Sequence, residues 1–372
     1  MTPAGIYIHI PFCRQICNYC DYFTTEKREK EIPHFVAMLL QEIELTASEF
    51  NHNWQFDCIY FGGGSPALLP PKSLEIILNK LREHFSFSQF PEITLEINPE
   101  ENSLEDLQSF RRIGINRLSI GFQSLNPEFL NLLTRTHNPD DCVNIYENAR
   151  LAGFENISID LLYNIPGQSV KGWLNDLKTV VEIQPEHIAM YSLTAEAGTP
   201  FYADIQNGDL SLPDTVIEVE MFRQGSRYLR DCGFTHYEIS HFAKFKKVCR
   251  HNLHYWKRDP YLAFGPSAHG FDGEKRYWNV SSLDEYMKQL SQHKRPIKAA
   301  ENLSENQVHN EIIMNGLRTN LGIPIAAMKN NEGSFTMSFQ NWDEYLIMKN
   351  STIYLIPDHF PLADKIAVDF MK

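Results

Sequence analysis

Three cysteines fall within eight residues, Cys13, Cys17 and Cys20, in the spacing C-x3-C-x2-C. Thiolates are the preferred ligands of iron-sulfur clusters. Three of them on one short loop can hold three irons of a cubane and leave the fourth open to a small molecule. The same loop could instead form a zinc knot, which needs a fourth thiol or imidazole; His9 and Cys58 are the residues that could supply it. A second signal is Gly62, Gly63 and Gly64 followed by Ser65 and Pro66. Glycines there let backbone groups approach a ligand where a side chain would block them. Each motif follows a strand-like run, one strand-helix unit apart, so both belong at the same end of a sheet, where barrel active sites lie. Cys58, Cys142, Cys232 and Cys249 read as buried or incidental thiols.

The elements that must position these residues alternate between strand and helix as far as about residue 240, the pattern of a parallel sheet with crossover helices. Strands are expected at Ile6 to Ile10, Cys58 to Phe61, Ile93 to Asn98, Arg117 to Gln123, Ser158 to Leu162 and His187 to Leu193. Helices are expected at Phe35 to Glu49, Ser73 to Phe85, Leu104 to Ile113, Asp140 to Ala152, Val170 to Ile183 and Thr215 to Asp231. Side chains alternate along a strand. One face carries Ile6, Ile8, Ile10, Leu95, Ile97, Ile120 and Ile159; the other carries Tyr7, His9, Glu96, Asn98, Ser119, Gln123, Ser158 and Asp160. A sheet covered by helices on both sides should be apolar on both, so the polar face is expected to line an open, ligand-filled interior. The fold class is α/β, a partial (β/α)6 barrel with a small C-terminal α/β domain. The expected division is 1–240 for the barrel, 241–300 for a connecting region that includes a Lys- and aromatic-rich loop from His241 to Asn279, and 301–372 for the C-terminal domain.

Composition narrows the classes. The chain has 372 residues, a formal net charge of -13 and 7 cysteines. The acidic balance argues against wholesale nucleic-acid binding. An odd number of cysteines with no secretion signal argues against a disulfide framework. No run approaches the roughly 18 apolar residues of a membrane span, and a cytoplasmic location is expected.

Taken together, "YIHIPFC", "GGGSP", "EINP", "RLSIGFQS" and "IDLLYNIPGQ" resemble the radical S-adenosyl-L-methionine (SAM) superfamily, and within it the oxygen-independent coproporphyrinogen oxidase group. The resemblance implies a radical-SAM barrel with a [4Fe-4S] cluster on Cys13, Cys17 and Cys20 and with the amino and carboxylate groups of SAM on the open iron. It places SAM contacts on Tyr7, Tyr19, Gly63, Gly64, Ser65, Glu96, Gln123, Arg135 and Asp160. Of these, Tyr7, Glu96, Gln123 and Asp160 already belong to the polar face.

Two features divide the group. Oxidases carry another cysteine two residues after the third, whereas Asp21 and Tyr22 follow Cys20 here. "HNLHYW", His251 to Trp256, resembles the HNxxYW motif of the HemW-like subgroup of heme chaperones. That resemblance implies heme as bound cargo, heme-acceptor proteins as partners, and an electron donor if radical chemistry occurs. Imidazole is a common axial ligand of heme iron: His251 is the candidate, with His254 and His269 as competitors. Tyr255 and Trp256 could flank a porphyrin plane, and Lys244, Lys246, Lys247 and Arg250 could pair with its propionates. The alternative is an oxygen-independent coproporphyrinogen III oxidase, which decarboxylates propionate side chains.

Overall fold

The computed structural model describes residues 1–50, 52–327 and 339–371; the part of the expected C-terminal domain at 328–338 lies outside them. Six strands run parallel in chain order: β1 (Thr2–Ile10), β2 (Trp54–Gly63), β3 (Phe87–Ile97), β4 (Arg117–Gln123), β5 (Ile157–Tyr163) and β6 (His187–Ser192). Helices connect them as the pattern predicts, with boundaries shifted by a few residues. Leu104–Ile113 matches its expected bounds because both ends are marked: Ser103 and Asp106 form a capping box, and Gly114 closes the helix at φ 108°.

The chain departs from expectation after residue 240. His241–Asn279 is not a loop. With β7 (Thr235–Glu238), this stretch supplies β8 (His241–Ala243), the helix Arg250–Lys257, β9 (Tyr261–Phe264), β10 (His269–Phe271) and β11 (Lys275–Asn279), and β12 (Ile297–Asn302) follows across the expected boundary at 300. The result is a 12-stranded sheet in the order β12-β11-β10-β9-β1-β2-β3-β4-β5-β6-β8-β7. β9 joins β1 in parallel, and the outer strands are antiparallel. Strands of three or four residues are too short for period-two alternation to show in sequence.

Register carries the polar side chains into rows. Tyr7 pairs with Tyr60, Tyr60 with Thr94 and Thr94 with Arg117; two residues further along, Glu96 pairs with Ser119, Ser119 with Ser158 and Ser158 with His187. The opposite face is fully apolar. Ile6, Ile8, Ile10, Leu95 and Ile120 are buried in one core with Phe35, Leu39, Leu74 and Ile77 of the crossover helices. Burying such side chains at about 1.5–3 kcal/mol each is what holds the helices on the outside, and it leaves the polar rows facing inward.

The small C-terminal unit is a 3-stranded sheet of Ile323–Pro324, Thr352–Leu355 and Leu346–Lys349, with the helix Ala363–Phe370 packed on Glu305–Leu317. Among the described residues, no helix is long and apolar enough to cross a membrane.

Candidate functional site: two cavities with a common wall

At the C-terminal ends of the parallel strands lies a cavity of about 350 Å³ lined by Cys13, Cys17 and Cys20 together with Tyr19, Gly63, Gly64, Ser65, Glu96, Gln123, Arg135 and Asp160. Eleven residues expected to bind cluster or SAM thus converge there. Tyr7 does not line it and belongs to a neighbouring cavity. All three cysteines are free thiols. Burial pushes the Cys13 thiol up to about 12 and raises Cys20; a bound metal would displace those protons. His9 and Cys58 do not complete a zinc knot. Neither lines this cavity: His9 donates from Nε2 to the Phe23 carbonyl at 2.7 Å, and Cys58 lies beside His251 at 3.6 Å.

The glycine turn is shaped by what lies above it. Gly63 has φ 111°, and a Cβ there would come within 2.6 Å of the His9 ring. At Gly64 a Cβ would meet the Phe12 carbonyl at 2.6 Å and the Cys13 sulfur at 3.0 Å. Only glycine lets this backbone press against the cysteine loop.

Each charged side chain is held by neighbours. Glu96 accepts from the Tyr60 hydroxyl at 2.8 Å and the Gly63 N–H at 3.2 Å. Burial raises its carboxyl to about 7, Tyr60 opposes the rise, and Asp160 adds to it. Asp160 accepts from Ser119 and Ser158, both at 2.8 Å, and burial again raises it. Arg135 donates from Nη1 to the Cys17 sulfur at 3.4 Å and from Nη2 to Asn98 at 2.6 Å; its Nε is buried without a partner. Burial opposes its charge, but Tyr19 and Cys17 outweigh that and hold it protonated. Gln123 sits at φ 63° where the β4–β5 register slips between Gly121 and Gln123, a bulge that re-aims its side chain.

The donor set fits the groups that the resemblance implies. Three thiols suit a cluster, an orphaned guanidinium N–H suits a carboxylate, and two carboxylates suit an ammonium or ribose hydroxyls.

A second cavity of about 860 Å³ adjoins the first, and Asp21, Tyr22, Tyr60, Gly63, Glu96 and Tyr191 line both. Both volumes fall within the roughly 300–1,000 Å³ of ordinary ligand pockets. Its other walls are aromatic and imidazole-rich, including Tyr7, His9, His241, His251, Tyr255, Trp256, Tyr261, His269 and Phe271. His251 is 1% exposed and forms an aromatic triad with Tyr7 and Tyr60, its ring centroid 5.8 and 5.3 Å from theirs and theirs 6.3 Å from each other. Its Nε2 pairs with the Tyr255 hydroxyl at 2.7 Å and its Nδ1 with the Cys58 thiol. His254 bridges Asp57 at 2.6 Å and Asp259 at 2.9 Å. Asp57, Cys58 and His254 offer donor atoms within 4.8 Å of one another and could hold a metal ion.

The expected basic run does not reach this cavity. Lys244 lies over the Phe234 ring, Lys246 over Phe245, Lys247 donates to the Glu155 carbonyl, and Arg250 donates to carbonyls of Asp57 and Phe90. The cavity's cations are Arg258 and Arg276.

The alternating parallel strands, the cysteine loop at their C-terminal ends and the glycine turn against it define a class. The chain belongs to the radical SAM superfamily, whose family model matches residues 7–180. It is 32% identical over 352 residues to radical S-adenosyl methionine domain-containing protein 1, mitochondrial, of Mus musculus, covering 92% of this chain and 78% of that protein. It is 34% identical over 319 residues to the heme chaperone HemW of Bacillus subtilis, covering 85% and 84%. In fold it is similar to the coproporphyrinogen III oxidase HemN of Escherichia coli, with a TM-score of 0.84 at 22% identity over 100% of this chain and 90% of that one.

Sequence reasoning missed Tyr60, Arg117 and Tyr191. Arg117 is 2% exposed, and its Nε and Nη1 lack hydrogen-bond partners. Its position two residues before Ser119 on the polar face was the available signal, masked by its place at the strand's start.

Proposed function

We propose that this protein holds a [4Fe-4S] cluster on Cys13, Cys17 and Cys20, binds SAM in the adjoining cavity, carries heme in the second cavity and hands it to acceptor proteins. The observation that carries this reading is the second cavity. It is large, walled by flat aromatic side chains, and separated from the SAM cavity only by a shared wall. A bound cluster supplies one-electron chemistry and an open iron for SAM. This chain's own residues do the rest. Arg135 steadies the Cys17 sulfur and keeps an unpartnered Nε available to a ligand carboxylate. Tyr60 and the Gly63 N–H orient Glu96, while Ser119 and Ser158 orient Asp160, so both carboxylates are fixed before ligand arrives. The names of the HemW relatives support heme as cargo.

A specific observation bears on the oxidase alternative. Asp21 and Tyr22, which stand where an oxidase would place its additional cysteine, form part of the wall between the cavities. Neither is a thiol. The test is anaerobic reconstitution with iron and sulfide, followed by hemin loading and incubation with an apo-hemoprotein. Transfer of the Soret band to the acceptor is expected. Protoporphyrinogen formation from coproporphyrinogen would overturn the reading in favour of the oxidase.

A further inference from the structure

Four histidines line the second cavity: His9, His241, His251 and His269. An iron ligand needs an imidazole nitrogen with a free lone pair and room for a metal to approach. His9 spends both nitrogens, donating to the Phe23 carbonyl and accepting from the Tyr7 hydroxyl at 3.2 Å. His241 is held by Tyr191 at 2.8 Å, by Asn252 and by Glu238. His251 has both nitrogens engaged and its ring packed against Tyr7 and Tyr60. His269 differs on each count. It is exposed to the cavity, and no hydrogen bond engages it among the described residues.

The surroundings of His269 suit a metal ligand. Its cross-strand partner is Trp278, and the two rings stack at 5.7 Å with an interplanar angle of 16°, which fixes the imidazole plane without consuming a nitrogen. Partial burial and the charge of Arg276 lower its proton affinity. Arg258 and Arg276 stand on the same wall and share one carboxylate, Glu311, each at 2.7 Å. Two guanidiniums against one carboxylate leave a net positive charge, and Arg258 Nη2 is buried with no partner. Phe271 lies beneath both cations. A flat, dianionic, iron-bearing ligand would find here a ligating nitrogen, an aromatic floor and carboxylate receptors.

Building on the reading of this cavity as the heme site, we infer that His269, not His251 of the HNxxYW motif, ligates the heme iron, with Arg258 and Arg276 receiving the propionates. The step is a dative bond from the imidazole lone pair to ferric iron, displacing water or chloride; no electron is transferred. His251 instead acts as a wall, packed against Tyr7 and Tyr60.

The test titrates full-length protein with hemin and reads the Soret band and the ferric spin state. In His269→Ala the ligated Soret position should disappear and hemin affinity should fall by at least about tenfold; free imidazole should restore the spectrum by entering the vacated space. A His269→Gln variant with an unchanged circular-dichroism melt shows that the loss is not unfolding. If His269→Ala titrates like the wild type, or if His251→Phe loses the spectrum while His269→Ala keeps it, the ligand assignment is overturned and the heme reading survives. If the wild type itself takes up no hemin, the heme reading falls and the assignment falls with it.

Discussion

The two cavities are built by opposite means. The first is made of backbone and of carboxylates locked by short hydrogen bonds: glycines that no other residue could replace, a bulge at Gln123, and Ser119, Ser158 and Tyr60 holding Asp160 and Glu96. The second is made of side chains from segments far apart in sequence, on β1, β2, β8, β10, β11 and the helix Arg250–Lys257. A site of the first kind fits a ligand of fixed geometry. A site of the second kind suits cargo that must leave again.

The largest effect expected from breaking this contrast is in the first cavity. Cys17→Ala should abolish iron and sulfide incorporation after anaerobic reconstitution, measured by metal and sulfide analysis. Hemin uptake in the second cavity should persist. If hemin binding vanishes together with the cluster, the cavities are not independent.

Next in size is Gly63→Ala. A side chain at φ 111° against the His9 ring should cost about 1–3 kcal/mol of stability, read by denaturant melts. SAM affinity should fall more than hemin affinity. An equal fall in both would mean that Gly63, which lines both cavities, shapes the second as much as the first.

A smaller effect sharpens the account of the helix Arg250–Lys257, which packs against β1 and β2. Burial opposes the charge on His254, but Asp57 and Asp259 outweigh it and raise its pKa from 6.5 to about 9. A histidine raised in the folded state contributes stability that is fully present below about pH 6.5 and lost as pH rises through about 9. Up to about 3 kcal/mol should disappear across that window, and Asp259→Asn should flatten the profile of the metal-free protein. A wild-type profile already flat between those values would refute the clamp.

The smallest effect concerns Arg276, whose side chain is 40% exposed. Arg276→Gln should weaken hemin binding only severalfold, since an exposed ion pair contributes about 1 kcal/mol or less. SAM binding should not change. A loss as large as that of His269→Ala would place the propionates on Arg276 more deeply than its exposure suggests.

The same contrast explains what could be read from the sequence. The first cavity was legible because its residues sit on long strands, where Ile93 to Asn98 and Arg117 to Gln123 declare their faces by alternation, and on two short motifs at strand ends. Tyr7 lies on the inward face, as alternation predicts, and lines the second cavity rather than the first, because alternation gives the face and not the depth at which a side chain sits. The second cavity was obscure because β8 and β10 are three-residue strands inside an apparent loop, and because the basic run from Lys244 to Arg250 stands out in the sequence although the arginines that line the cavity are Arg258 and Arg276. His251 carried the motif, yet only the fold shows that its nitrogens are spent.

The central claim is that cluster with SAM and heme occupy separate but adjoining cavities. Equilibrium dialysis of the reconstituted full chain against SAM, with and without saturating hemin, tests it most directly. The account predicts one molecule of hemin bound per chain with SAM retained. Displacement of SAM by hemin in a simple competition would contradict it.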